Sequence, residues 1–305
     1  MGRLSSVLSG VGVGGAALGL GVLAWANSET RRFTLREVTC PVLTPGTDPI
    51  RVLHFSDIHL MPSQRAKLEW LATLADLKPD FVVNTGDNIS SAAAIRPLLA
   101  AWGSLLDVPG AFVFGSNDYH APSFKNPLRY LGVPALATAP EKVDLPWQDL
   151  RAAMSERGWV DLNNRATRIE VAGRVIDLRG TDDAHLDQDR YADVAGEVSS
   201  DADLTIGVTH APYLRVLDGL AADGVDLIMA GHTHGGQVCL PTGALVTNCD
   251  LDRERVKGLH RHTSGGRSAW LHVSAGVGGS PFAPYRTFCR PESTLLTLTP
   301  RRDAR

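Results

Sequence analysis

From about residue 50 onward, short apolar runs alternate with amphipathic stretches, and five of the runs break off abruptly into Asp, Asn or His. The first, Val52 to Phe55, gives way to Ser56-Asp57-Ile58-His59. Gln64 to Leu77 then carries Leu68, Leu71, Ala72 and Ala75 at helical spacing, and Lys78-Pro79 stops it before Phe81-Val82-Val83. That order is strand, helix, strand. Ser91 to Trp102 reads as a second amphipathic helix, and Gly110 to Phe114 as a third strand ending at Gly115-Ser116-Asn117-Asp118. Tyr119 to Pro146, punctuated by Pro122, Pro127, Pro134, Pro140 and Pro146, reads as a long loop beside the strand ends, either a surface excursion or a lid. Trp147 to Arg157 is helical, and Arg168 to Val171 pairs with Val175 to Leu178 in a hairpin. Leu204 to Val208 leads to His210, and Val225 to Met229 leads to His232 and His234. A hairpin of Val238 to Leu240 with Ala244 to Val246, then Trp270 to Ser274 and Thr294 to Leu298, completes what reads as a second sheet.

The amino-terminal end has a different pattern. Val7 to Ala26 is a run of twenty residues without a charge. At about 1.5 Å per helical residue it spans about the 30 Å of a bilayer core. It reads as a membrane anchor or a signal segment, and Ala24-Trp25-Ala26 has the small-x-small form of a cleavage site. Arg31, Arg32 and Arg36 rival Arg3 for the positive-inside rule, and the expectation is a protein at the cell membrane or exported, with its catalytic domain outside the cytoplasm. The glycines from Gly10 to Gly15 match a dinucleotide-binding spacing, but no strand precedes them, so the match is spurious. The chain thus divides into a targeting segment (residues 1–30), a linker with an edge strand (31–50) and one catalytic domain (51–300).

At 305 residues and 44% hydrophobic composition, the chain can bury a large core. A formal net charge of -3, with no basic stripe interleaved with aromatics, gives no reason to expect nucleic acid. Cys40, Cys239, Cys249 and Cys289 lack the paired spacing of a zinc ribbon or redox motif, and both disulfides and separately buried thiols fit them.

Ligand sites of open α/β sheets lie outside the carboxyl ends of strands, where all five clusters fall. Any one of them alone would be a turn or a helix cap. Together Asp57, His59, Asp87, Asn117, His210, His232 and His234 mix imidazole with carboxylate and amide oxygen, which suits Zn, Fe or Mn. Seven such ligands exceed the needs of one ion. His54, His260, His262 and His272 lack a motif and read as structural or surface residues.

Asp57-x-His59, Gly86-Asp87, Gly115-x-Asn117, His210 and Gly231-His232-x-His234 resemble the five motifs of the calcineurin-like metallophosphoesterases, over about Arg51 to Leu298. The chain is most similar to a bacterial, membrane-associated branch, some of whose members act on nucleotide-sugar lipid precursors. The resemblance implies an α/β fold, a two-layer β-sandwich flanked by helices, holding two divalent or transition metal ions. Carried over by motif, Asp57, His59, Asp87 and His234 would bind one ion. Asp87, Asn117, His210 and His232 would bind the other, with Asp87 as the bridge. The implied activity is hydrolysis of phosphate mono- or diesters, lipid-linked ones included, by in-line attack of a hydroxide bridging ions about 3.5–4 Å apart. The alternative is a non-enzymatic metal-binding interaction module on the same fold.

The chain departs from the family in one respect: its third motif usually runs Gly-Asn-His, and here Asp118 follows Asn117. Asp118 could replace the missing acid if its pKa were raised, or orient another donor, and His120 is a second substitute. Two further stretches, Asp182-Asp183-Ala184-His185 and Gly276-x-Gly278-Gly279 followed by Arg286, loosely resemble loops of the bacterial branch. Arg286 is the candidate to fork onto a phosphate oxygen.

Overall fold

The computed structural model describes residues 19–123 and 142–301. The first sheet is built from β1 (Thr34–Leu43), β2 (Ile50–Phe55), β3 (Phe81–Asn84), β4 (Gly110–Phe112), β5 (Val160–Asp161) and β14 (Glu292–Pro300), in the order β1-β14-β2-β3-β4-β5. Strands β2 to β5 run parallel, and β14 lies antiparallel to β2. The second sheet contains β6 (Arg165–Val171), β7 (Arg174–Gly180), β8 (Leu204–Val208), β9 (Leu227–Ala230), β12 (Gly258–Ser264) and β13 (Arg267–Val273), in the order β12-β13-β9-β8-β7-β6. Its four central strands are parallel and its edges antiparallel. A small hairpin, β10 (Cys239–Leu240) with β11 (Gly243–Ala244), stands apart from both sheets.

Strand alternation makes the layers. In β2, Ile50 and Val52 enter the core between the sheets while Leu53 and Phe55 face the helices, and in β3 Phe81 and Val83 are likewise opposed to Val82. Both faces of these strands are covered, which is why they read as continuous apolar runs. Helices α2 (Arg65–Thr73), α3 (Ile95–Trp102) and α5 (Trp147–Glu156) cover the first sheet through Leu71, Leu98, Trp102, Leu150 and Met154. Helix α6 (Leu214–Asp223) covers the second with Val216, Leu217 and Leu220. A single turn, α4 (Ser116–Tyr119), follows β4. The architecture is α/β/β/α, two sheets face to face with helices outside.

β5, α4, α6 and β12 go beyond the elements expected from sequence. The last is a polar edge strand that buries His262 against Asp218 of α6 at 2.8 Å, so no apolar alternation announces it. Between the sheets His54 and His272 meet through their Nδ1 atoms at 2.8 Å, and burial drives the pKa of His54 well below the usual imidazole range and that of His272 to about 3.

A further helix, α1 (residues 19–29), precedes β1. Its last turn is docked: Arg286 N–H donates to the Ala26 carbonyl at 2.9 Å, and Arg290 Nε to Glu29 at 2.9 Å. Among the described residues, no helix is long and apolar enough to cross a membrane. Residues 7–18 of the uncharged run and residues 124–141 of the expected long loop lie outside the described residues. All four cysteines are free thiols. Cys239 and Cys289 are not separate, since both reach the Gly235 carbonyl, at 3.2 and 3.5 Å.

Candidate metal centre

The sheets end side by side, so that the turns after β2, β3 and β4 meet the turns after β8 and β9. Asp57, His59, Asp87, His232 and His234 all have positive φ, between 46° and 68°. That region is uncommon for residues with a Cβ, and each such residue carries of order 1–3 kcal/mol of strain. Cross-links between the turns hold it: Asp57 N–H donates to Gly86 O at 2.8 Å, His59 N–H to Asp87 O at 2.9 Å, and His232 N–H to Asp57 Oδ2 at 2.9 Å. Gly231 is required because a Cβ there would lie 1.9 Å from Ser56 Oγ.

Two groups of donors result. In one, His59 Nε2 lies 3.3 Å from His234 Nε2 and 3.4 Å from Asp87 Oδ2, and His234 Nε2 lies 3.5 Å from Asp57 Oδ1. In the other, His210 Nε2 lies 3.6 Å from Asp87 Oδ2 and 3.3 Å from His232 Nδ1. Asn117 joins the second group by donating its backbone N–H to Asp87 Oδ1 at 2.7 Å and its amide to Oδ2 at 2.8 Å. Asp87 belongs to both. The structure thus brings together all seven side chains picked out in the sequence.

The ring orientations suit ligation. His210 Nδ1 is engaged with the Thr85 carbonyl at 2.6 Å and His234 Nδ1 with that of Gly278 at 3.0 Å, leaving each Nε2 aimed inward. Burial lowers the pKa of His59 and His234 to about 4, so both rings are neutral near pH 7, the form that can ligate a cation. Burial also opposes the Asp87 charge, but His210, His59 and the Asn117 donors outweigh it and hold that carboxyl well below its usual range. Burial works against a charge on His210 too, yet Asp87, Asp183 and Asp57 raise it to about 9.

This donor set fits cations. Asp57 Oδ1 is buried without a hydrogen-bond partner among the described residues, and it faces imidazole nitrogens that can share only one proton between them. The ligand atoms of Asp57, His59 and His234 lie within 4.8 Å of one another, as do those of Asp57, Asp87 and His210. A half-turn of the Asn117 amide would present its oxygen to the second group.

Two expected substrate or acid residues are placed elsewhere. Arg286 is 2% exposed, and its guanidinium donates to the carbonyls of Ala275 at 2.8 Å and Cys289 at 3.3 Å, among others. It braces the loop behind His234 and has no fork left for a phosphate. Asp118 is fully buried, its oxygens accepting the N–H groups of Asp87 at 2.7 Å, Asn88 at 2.8 Å and Gly115 at 3.0 Å. Burial and the Asp87 charge raise it to about 7, yet no solvent reaches it, so it ties the second and third motif loops together. His120, at the end of α4, is partly exposed with Nδ1 2.9 Å from Asp144. His185 lies tilted against His232, ring centroids 4.7 Å apart, and approaches the Tyr213 hydroxyl at 3.1 Å. Lys67, which the sequence reading passed over, is buried and donates to Ile58 O at 2.6 Å; its signal was a charge one turn before Leu71 on the inward face of α2.

A family model for calcineurin-like phosphoesterases matches residues 50–236, more than half of the chain and a span that contains every one of the seven ligand positions. The chain belongs to the calcineurin-like phosphoesterases. This phosphoesterase is similar to the uncharacterized metallophosphoesterase YkoQ of Bacillus subtilis, 26% identical over 258 residues covering 82% of this chain and 84% of that one. It is also similar to the phosphodiesterase YaeI of Escherichia coli, 26% identical over 262 residues and 82% of each chain. Among solved structures it resembles the purple acid phosphatase PPD1 of yellow lupin seeds, with a TM-score of 0.39 and 14% identity over 82% of this chain and 48% of that one.

Proposed function

We propose that this phosphoesterase uses two divalent or transition metal ions, of the Mn, Zn or Fe kind, to hydrolyse phosphate mono- or diesters, lipid-linked ones included. The observation that carries the reading is the position of Asp87, whose Oδ2 lies within 3.6 Å of imidazole nitrogens from both donor groups. Asp57, His59, Asp87 and His234 would hold one ion, and Asp87, Asn117, His210 and His232 the other. Bound there, the ions supply positive charge to a phosphoryl group and acidity to a water. The chain's own residues do the rest. Thr85 and Gly278 fix the tautomers of His210 and His234 through Nδ1, Asp118 holds the Asp87 and Gly115 loops in register, and neutral His234 keeps its Nε2 lone pair inward. His120, with Nδ1 turned to Asp144, offers Nε2 as the proton donor to a leaving group in place of the usual histidine. The amino-terminal segment would place the enzyme at the cell membrane or deliver it across, with the catalytic domain outside the cytoplasm.

The test is a panel of phosphomonoesters, phosphodiesters and nucleotide-sugar pyrophosphates, assayed with metal-stripped protein before and after Mn, Zn or Fe is added. Turnover that appears only with metal and saturates near two ions per chain is expected. Turnover indifferent to metal sinks the proposal, and saturation at one ion sinks its dinuclear form.

A further inference from the structure

Exposed apolar side chains are not scattered over this molecule. Of the nine large hydrophobic residues exposed among the described residues, Leu20, Val22, Leu23 and Trp25 belong to α1, Leu240 and Leu245 to the β10–β11 hairpin and its exit, and Phe288 to a loop that joins the two. Asn27 Nδ2 donates to Pro284 O at 2.7 Å, and the Trp25 and Phe288 rings meet edge to face at 5.2 Å, which joins α1 to residues 280–288. Gln237 Nε2 donates to Ala283 O at 2.9 Å, and Cys239 N–H to Thr287 O at 3.1 Å, which joins the β10–β11 hairpin to the same loop. A contiguous apolar face of this kind on a soluble surface marks something that covers it.

The sequence leading into α1 says what that is. The sequence before α1 is uncharged back to Val7, long enough in total to match a bilayer core. Trp25 is of the type enriched where protein meets the lipid headgroups, and exposed Arg31 and Arg253 border the face, the latter donating to Leu245 O at 3.1 Å. Beneath the face, between residues 27–33, the start of α2 and residues 278–286, lies a cavity of about 490 Å³. Its lining includes Lys67 and Gly278, the first bonded to Ile58 O and the second to the ligand His234, so the cavity adjoins the metal centre.

We propose that this face, the β10–β11 hairpin included, rests on a lipid bilayer and holds the cavity and the metal centre at headgroup level, where the phosphoester is taken from the membrane. The membrane contact stands on the geometry of the face; the substrate half rests on the phosphoesterase reading.

The full chain, reconstituted into phosphatidylcholine–phosphatidylglycerol vesicles, tests both. Spin labels on Leu240→Cys and Leu245→Cys, with the wild-type background subtracted, should relax more with oxygen than with a water-soluble nickel chelate, and a label on Glu170→Cys of the far edge strand β6 should do the reverse. Labels at 240 and 245 that behave like the one at 170 overturn the proposal. So do labels shielded from both reagents in a chain that is dimeric without lipid, which would assign the face to a second copy. The double variant Leu240→Asp, Leu245→Asp should hydrolyse a soluble nitrophenyl phosphoester at the wild-type rate and a vesicle-embedded phosphoester about tenfold more slowly. Equal rates on the embedded ester overturn the substrate half. A wild-type chain that hydrolyses neither ester while the labels report lipid contact refutes the phosphoesterase reading and leaves the membrane face intact.

Discussion

Asp87 is the residue on which both donor groups depend, and it was legible as a ligand from the Gly86-Asp87 pair at a strand end. Asp87→Ala should therefore lower bound metal at both positions, whereas His59→Ala should spare the group built on His210 and His232. Elemental analysis of the two purified variants decides this, and equal residual metal contradicts it. The leaving-group acid is also a residue-scale question. General acid help is typically about 100- to 10,000-fold and matters for alkoxide leaving groups far more than for nitrophenolate. His120→Ala should consequently impair alkyl phosphoesters within that range and spare nitrophenyl ones, with metal content unchanged; wild-type rates on both would remove His120 from the reaction. Lys67 makes a pH prediction. Burial lowers its pKa to about 7 from the usual 10.5, so the folded state binds fewer protons than the unfolded one between those values. Stability from this group is then full above about pH 10.5 and lost as pH falls toward 7. Thermal melts of wild type and Lys67→Met should diverge in that window, the wild type gaining several degrees on the variant as pH rises from 7 to 10. Parallel curves would refute the buried charge.

At the scale of elements, the site is a set of strand-to-loop turns whose strain is held by neighbouring turns. Gly231 shows how little room is left. Gly231→Ala places a Cβ on Ser56 Oγ, and overpacking of this kind typically costs about 1–3 kcal/mol. It should lower the melting temperature and reduce metal content together, because His232 and His234 follow directly; a variant that melts and binds metal like wild type would show that the turn can yield. The strands of both sheets other than β5 and β12, and helices α2, α3 and α5, were readable because burial on one or both faces writes a period of 2 or 3.6, or an unbroken apolar run, into the sequence. Helix α6 carries the same signal at Val216, Leu217, Leu220 and Ala221. Strand β12 carries none, since its buried position is His262, satisfied by Arg255 at 2.9 Å and by Asp218 of α6, the latter remote in sequence.

For the whole molecule, metal and fold should be linked, since ligands from both sheets converge on one centre. A ligand at about 1,000 times its dissociation constant stabilises by about 4 kcal/mol, so chelation should lower the melting temperature by several degrees and re-addition of Mn or Zn restore it. A melt indifferent to chelator would mean that the donors hold no resident ion. The sequence by itself determined the alternation of most strands and helices, the family, and the seven candidate donors that the fold brings together, because periodicity and the strand-end position of a side chain are local properties of the chain. Only the tertiary structure decided where a side chain finds its hydrogen-bond partners. Arg286 faces the carbonyls of its own loop, Asp118 takes two amides from the turn after β3 and one from its own turn, and His54 meets His272 across the sheet interface. In each case the residue type allowed both a solvent-facing and a buried role. The choice was made by which buried polar groups would otherwise be left without a partner.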